Sequence, residues 1–148
     1  MSINKYELME NFKKRCRDER YKVTPQRIII YRELLDSKDH PDVETLYKRV
    51  RNIFPNISFD TVYRTLSFFH RIGVADIIDG LCPTRRYEGN TKKHFHYLCL
   101  NCNRIIDFDH IPFDYKVPEE IKRQFDVKNV RIVFEGTCKE CKPDLLPA

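Results

Sequence analysis

The chain has 148 residues, 41% of them hydrophobic, which supports one or two small cores and excludes wholesale disorder. No apolar run approaches the ~18 residues of a membrane span, and the first residues lack the apolar stretch of a signal peptide, so a cytoplasmic protein without a membrane partner is expected. The net charge of +5 is unevenly placed: residues 1–90 carry 17 Lys and Arg against 13 Asp and Glu (17 − 13 = +4), and residues 91–148 carry 10 against 9 (10 − 9 = +1).

The basic excess gathers at Lys13, Lys14, Arg15, Arg17, Arg20 and Lys22. Such a stretch suits a polyanion, most often nucleic acid, and equally a solvated helix face. It ends a first predicted helix, 3–20, whose apolar side is Ile3, Tyr6, Leu8, Met9 and Phe12. Thr24-Pro25 supplies an N-cap and a proline at the first helical position of a second helix containing Ile28, Ile29, Tyr31, Leu34 and Leu35. After the polar break Ser37-Lys-Asp-His40, Pro41 is expected to open a third helix, with Val43, Leu46, Tyr47 and Val50 at helical spacing and an end near Phe54-Pro55. Ser58 caps a fourth, in which Val62, Leu66, Phe69 and Ile72 recur and Gly73 marks the C-terminal end. Beyond it, 74–78 and 85–88 read as a loose hairpin around Asp79-Gly80 and Leu81-Cys82-Pro83-Thr84.

Helices followed by a hairpin are the order of a winged helix-turn-helix, with the fourth helix presenting its start to a DNA major groove. Its exposed side carries Thr61, Tyr63, Arg64 and Ser67. Tyr63 can touch a thymine methyl or a phosphate, and Arg64 a guanine edge or a phosphate. Helix packing for Tyr63 and solvation for Arg64 are the alternatives, and a helix-turn-helix is a weak signal by itself.

The polar stretch 89–93 reads as a hinge. Three strand-like runs follow, at 95–100, 104–108 and 130–134, with a short helix at 118–125 whose first turn holds Glu119 and Glu120. Three strands of this size rarely stand alone, so a homodimer is expected. The whole reads as α+β: residues 1–88 form a winged-helix DNA-binding domain, 89–93 a hinge, and 94–148 a dimerisation and metal-binding domain with a three-stranded sheet.

Two chemistries meet in the second half. Cys99-x-x-Cys102 and Cys138-x-x-Cys141, 138 − 102 = 36 residues apart, have the spacing of two halves of a tetrahedral Zn(II) site. Four thiolates leave no open coordination position, so the role is structural. A redox dithiol would need a helix after the first pair, whereas 104–108 looks like a strand. Cys16 and Cys82 are left as ordinary thiols. The second cluster is His94, His96 and Asp107. Histidines at i and i+2 share one face of a strand, and two imidazoles with a carboxylate suit Fe(II), Mn(II), Zn(II) or Co(II). If His40 and Glu88 join them, three histidines and two carboxylates form a reversible clamp with ligands from both halves. His70 and His110 have no partner pattern.

Together these residues resemble the ferric uptake regulator family of metal-dependent transcriptional repressors. The resemblance runs through Thr24-Pro25-Gln26-Arg27, His40-Pro41, Thr61-Val-Tyr63-Arg64-Thr-Leu66 and Arg86-Tyr-Glu88. It continues in His94-x-His96-x-x-Cys99-x-x-Cys102, Ile106-Asp107-Phe108 and Gly136-x-Cys138-x-x-Cys141. It implies a winged-helix domain, a hinge, a dimerisation domain, a four-cysteine zinc site, and a regulatory metal at His40, Glu88, His94, His96 and Asp107. Metal binding would close the homodimer onto an inverted-repeat operator in double-stranded DNA.

Within the family, Asp107 resembles the peroxide-sensing PerR branch, where iron sensors more often carry Glu, while Glu88 points to iron sensors. Cys82 lies six residues too early for the cysteine of many zinc sensors. Lys93, Phe95 and Val130 stand where a third site would have ligands, so no third site is expected. The resulting expectation is a peroxide-responsive repressor using Fe(II) or Mn(II), in which His40 and His94 are the oxidation-sensitive ligands. An iron-responsive repressor of iron uptake is the alternative. A small metal-dependent hydrolase or oxygenase using the His/carboxylate cluster is disfavoured by the short chain, and no catalytic residues are assigned.

Overall fold

The structure, a computed structural model, describes residues 4–78, 83–109, 116–128 and 130–142. The expected turn at Asp79-Gly80, the thiol of Cys82 and the imidazole of His110 lie outside the described residues. The chain divides into two compact units, Met1–Lys92 and Lys93–Ala148.

The first unit is built on four helices and a two-stranded ladder. Helix α1 (Lys5–Asp18) is capped by Asn4, whose side chain accepts from the Tyr6 and Glu7 N–H groups. Helix α2 (Pro25–Asp36) starts at the expected Thr24 cap with proline in its first turn. Helix α3 (Val43–Ile53) begins two residues later than Pro41, because Asp42 takes the cap by accepting from the Thr45 N–H. Pro41 keeps its carbonyl for the Tyr87 N–H instead. Helix α4 (Phe59–Arg71) is capped by Ser58 as read from the sequence, and Gly73 beyond it has φ 74°, a left-handed turn that glycine makes without steric cost.

The apolar faces of these helices meet in one core. Phe12, Tyr31 and Phe69 pack ring to ring at 4.8, 5.3 and 5.2 Å, surrounded by Ile30, Leu34, Leu46, Val50, Val62 and Leu66. The Tyr31 hydroxyl donates to the Val74 carbonyl at 3.2 Å, which satisfies its polar atom inside the core. Strands β1 (Asp76–Ile78) and β2 (Arg86–Glu88) pair antiparallel, with Asp76 opposite Glu88. Gly89, the first residue of the expected hinge, belongs to this packing: a Cβ there would stand 2.6 Å from Leu35 Cδ2.

The second unit is a mixed three-stranded sheet in the order β4-β3-β5, from β3 (Phe95–Cys99), β4 (Ile105–Phe108) and β5 (Val133–Gly136), with the short helix α5 (Glu119–Gln124). β3 pairs antiparallel with β4 and parallel with β5. The last strand is therefore 133–136 and not 130–134. Alternation of Val130, Ile132 and Phe134 located the segment, but the ladder with β3 set the register, placing Gly136 opposite Cys99. A Cβ there would come 2.7 Å from the Tyr97 hydroxyl, so any other residue would have to displace that side chain. Among the described residues of this unit, the buried hydrophobic side chains are Leu98, Cys99, Ile105 and Cys138. Half of that small core is sulfur.

Candidate metal centres and nucleic-acid face

The four cysteines of the second unit converge, their sulfurs all within 4.8 Å of one another. Backbone geometry shapes the first knuckle: the Asn103 N–H donates to the Cys99 carbonyl at 2.8 Å, and the Cys99 N–H to the Arg104 carbonyl at 3.0 Å. Asn103 takes the left-handed φ of 57° that this tight return needs. In the second knuckle the N–H groups of Cys141 and Lys142 both donate to the Cys138 carbonyl. Cys102 and Cys138 sulfurs are 3.8 Å apart. Two ligands of a tetrahedral ion with Zn–S bonds of ~2.3 Å stand about 3.8 Å apart, so the group fits such an ion.

The thiols are electrostatically unequal. Backbone hydrogen bonding from Cys138, then Cys102, brings the Cys99 pKa down to about 6, and the Cys138 N–H lies 3.3 Å from the Cys99 sulfur. Cys138 is pushed up to about 12: the Cys141 backbone pulls it down, but burial and hydrogen bonding to Glu140, Cys141 and Cys99 outweigh this. Cys99 thus ionises more readily than an ordinary thiol, and Cys102 and Cys138 less readily. Arg104 and Glu140, one from each knuckle, form a 3.2 Å ion pair alongside, a contact that sequence reading missed because nothing in the spacing relates them.

The same strand carries the second group. Nε2 of His94 and of His96 are 3.0 Å apart. Asp107 lies opposite His96 in the β3–β4 ladder, and its Oδ1 is 3.6 Å from His94 Nε2 and 3.4 Å from His96 Nε2. Ligands of one ion at ~2.1 Å are separated by about 3.0 Å at right angles and about 3.4 Å at tetrahedral angles, so these three side chains match a divalent cation. In the first unit, His40 and Glu88 are both buried, with His40 Nε2 3.4 Å from Glu88 Oε2. His70 places its Nδ1 3.3 Å from the Ala75 carbonyl.

On α4 the four residues read as DNA contacts are not equivalent. Tyr63 is 45% exposed. Arg64 is exposed and holds Asp60 through Nε at 2.8 Å, one helical turn back. The Ser67 hydroxyl donates to the Tyr63 carbonyl, and the Thr61 hydroxyl is engaged with Ser58. Tyr63 and Arg64 are the side chains presented outward, while Thr61 and Ser67 are partly occupied by the helix itself.

The chain is thus an α-helical unit followed by a sheet unit rich in Cys and His, and the comparisons say what it is similar to. A model of the ferric uptake regulator family matches residues 18–135, and the chain belongs to that family, whose members are transcriptional regulators and not enzymes. It is 36% identical over 125 residues to the peroxide-responsive repressor PerR of Staphylococcus epidermidis, covering 83% of each chain. Among solved structures it is similar to the Helicobacter pylori ferric uptake regulator Fur, which has three functional metal-binding sites, at TM-score 0.71 and 25% identity, covering 93% of each chain. It is also similar to a zinc-bound manganese uptake regulator, at TM-score 0.62 and 30% identity over 85% of this chain and 97% of that one.

Proposed function

We propose that this metal-responsive regulator is a DNA-binding repressor that responds to peroxide. In this reading a homodimer holds Zn(II) permanently at Cys99, Cys102, Cys138 and Cys141. Fe(II) or Mn(II) binds reversibly at His40, Glu88, His94, His96 and Asp107 and brings the dimer onto an inverted-repeat operator. The observation that carries it is the packing of His94, His96 and Asp107, a set of nitrogen and oxygen donors at ligand spacing. The likeness to a peroxide-responsive repressor of S. epidermidis and the carboxylate being Asp107 support peroxide as the signal.

Fe(II) held by His40, Glu88, His94, His96 and Asp107 would supply electrons to hydrogen peroxide, and Mn(II) there would not. The imidazoles of His40 and His94, as adjacent ligands, would be the side chains oxidised: one peroxide oxygen would replace hydrogen on a ring carbon and the other would leave as water. An oxidised imidazole holds a divalent cation poorly, so the metal is lost and the operator is released. Tyr63 and Arg64 read the major groove, and the basic end of α1 supplies phosphate contacts with the salt dependence these bring.

Glu88 supports a second reading, an iron-responsive repressor of iron uptake genes. One experiment separates the two. Operator affinity is measured for Fe(II)-loaded and Mn(II)-loaded protein with and without hydrogen peroxide, with mass spectrometry of the peptides containing His40 and His94. The expected result is loss of binding and a gain of one oxygen in the Fe(II) form alone. Retained affinity with unmodified histidines would sink the peroxide reading and leave the iron-responsive one.

A further inference from the structure

His40 is held in an unfavourable backbone conformation. Its φ is 49°, in the left-handed region that non-glycine residues avoid, and it precedes Pro41, which pushes a residue toward extended backbone. Such a conformation persists where the surroundings over-determine it. Those surroundings are β2. Arg86 donates from Nε to the His40 carbonyl and from Nη2 to the Asp39 carbonyl. The Tyr87 N–H donates to the Pro41 carbonyl at 3.0 Å. Three consecutive carbonyls are thus engaged by two consecutive residues, and the next residue, Glu88, meets the His40 imidazole at 3.4 Å. On the other side, Arg49 of α3 grips the Asp39 carboxylate with both terminal nitrogens, at 2.9 and 2.6 Å, and reaches the Ser37 hydroxyl at 2.8 Å.

We propose that Arg86 is the positioning residue of the regulatory metal centre: it locks the His40 backbone so that His40 Nε2 and Glu88 are presented as a ready-made ligand pair, with Arg49 on Asp39 as the second anchor. The inference rests on His40 being a metal ligand. A guanidinium suits the task because Nε and Nη2 lie on one rigid edge and address two neighbouring carbonyls at once, which a lysine ammonium does not reproduce. Arg86 acts on the main chain, so its removal leaves the imidazole intact. His40 then relaxes toward the extended region that Pro41 favours, and Nε2 swings away from Glu88. Groups that orient metal ligands typically contribute ~10–100-fold to affinity.

The test uses the full-length, zinc-loaded chain titrated with Co(II), whose visible absorption reports the donor set, and compares Arg86→Gln, Arg86→Lys, Arg49→Met and His40→Ala with the parent. Arg86→Gln should weaken Co(II) binding ~10–100-fold and alter the cobalt bands, with zinc content and helical circular dichroism unchanged. Arg86→Lys should fall between the parent and Arg86→Gln, and Arg49→Met should show a smaller loss. A folded Arg86→Gln that binds Co(II) with parental affinity and bands overturns the inference. If Arg86→Gln loses its helical signal, Arg49→Met decides, and parental Co(II) affinity there overturns it equally. If His40→Ala binds Co(II) like the parent, the assignment of His40 as a ligand fails, independently of Arg86.

Discussion

A few residues in this chain carry constraints that their neighbours do not. Gly136 is one of them. It sits opposite Cys99 in the β3–β5 ladder, and the Tyr97 hydroxyl occupies the space where a Cβ would project. Gly136→Ala should destabilise the second unit by ~1–3 kcal/mol, the usual cost of forcing an extra carbon into a packed site, and should lower zinc retention because Cys138 follows two residues later. Denaturant melts of the zinc-loaded protein, together with zinc content, check this; unchanged values would mean that Tyr97 yields freely. The glycine was legible in the sequence as part of the Gly136-x-Cys138 motif, but its reason was not. That reason is the position of a tyrosine hydroxyl contributed by a strand 39 residues upstream (136 − 97 = 39).

Among the elements, α4 shows how far local chemistry reaches. Its start at Ser58, its buried stripe of Val62, Leu66 and Phe69, and its end before Gly73 all follow from capping and periodicity. Ser58→Ala removes the acceptor for the Thr61 N–H, which is bonded at 3.1 Å. It should cost ~1 kcal/mol, a fall of about 4–8 °C in the melting temperature of a unit of this size. It should also weaken operator binding, because the fraying turn is the one that leads into Tyr63 and Arg64. A thermal melt and a DNA titration of one variant test both consequences. By contrast β5 could be located but not bounded from its own residues. An exposed strand with alternating apolar side chains has no intrinsic end, and pairing with β3 supplied one.

Across the whole molecule, the two units are stabilised by different means. The first buries rings and aliphatic side chains around Phe12, Tyr31 and Phe69. The second places buried thiols where a larger domain would place more hydrocarbon, and a unit of its size needs such a staple. Its stability should therefore depend on both metal and pH. With zinc bound, protons compete for four thiolates, so metal should be lost progressively as pH falls. In chelated protein the raised Cys138 and Cys102 pKa values act in the reverse sense, and the lowered Cys99 pKa opposes them. A folded pKa above the ordinary value means that the stabilisation is present below that value of about 9 and is lost as pH rises through the folded pKa. Melting the chelated and zinc-loaded forms across pH 5–10 separates the two slopes. Cys99→Ser should remove zinc and dimerisation together, and a stable zinc-free dimer would contradict a structural role for the site.

The sequence by itself determined the helices of the first unit, the two Cys-x-x-Cys pairs and the His94-x-His96 pair. Each of these depends on residues within a turn or two of one another, where spacing is geometry. The tertiary structure decided what spacing cannot express: the 3.8 Å approach of Cys102 and Cys138, the placement of Asp107 against both histidines by the β3–β4 register, and the grip of Arg86 on a backbone 46 residues away. These are products of strand register and of loops closed by packing. Such contacts are set by many residues together and leave no local signature in any one of them.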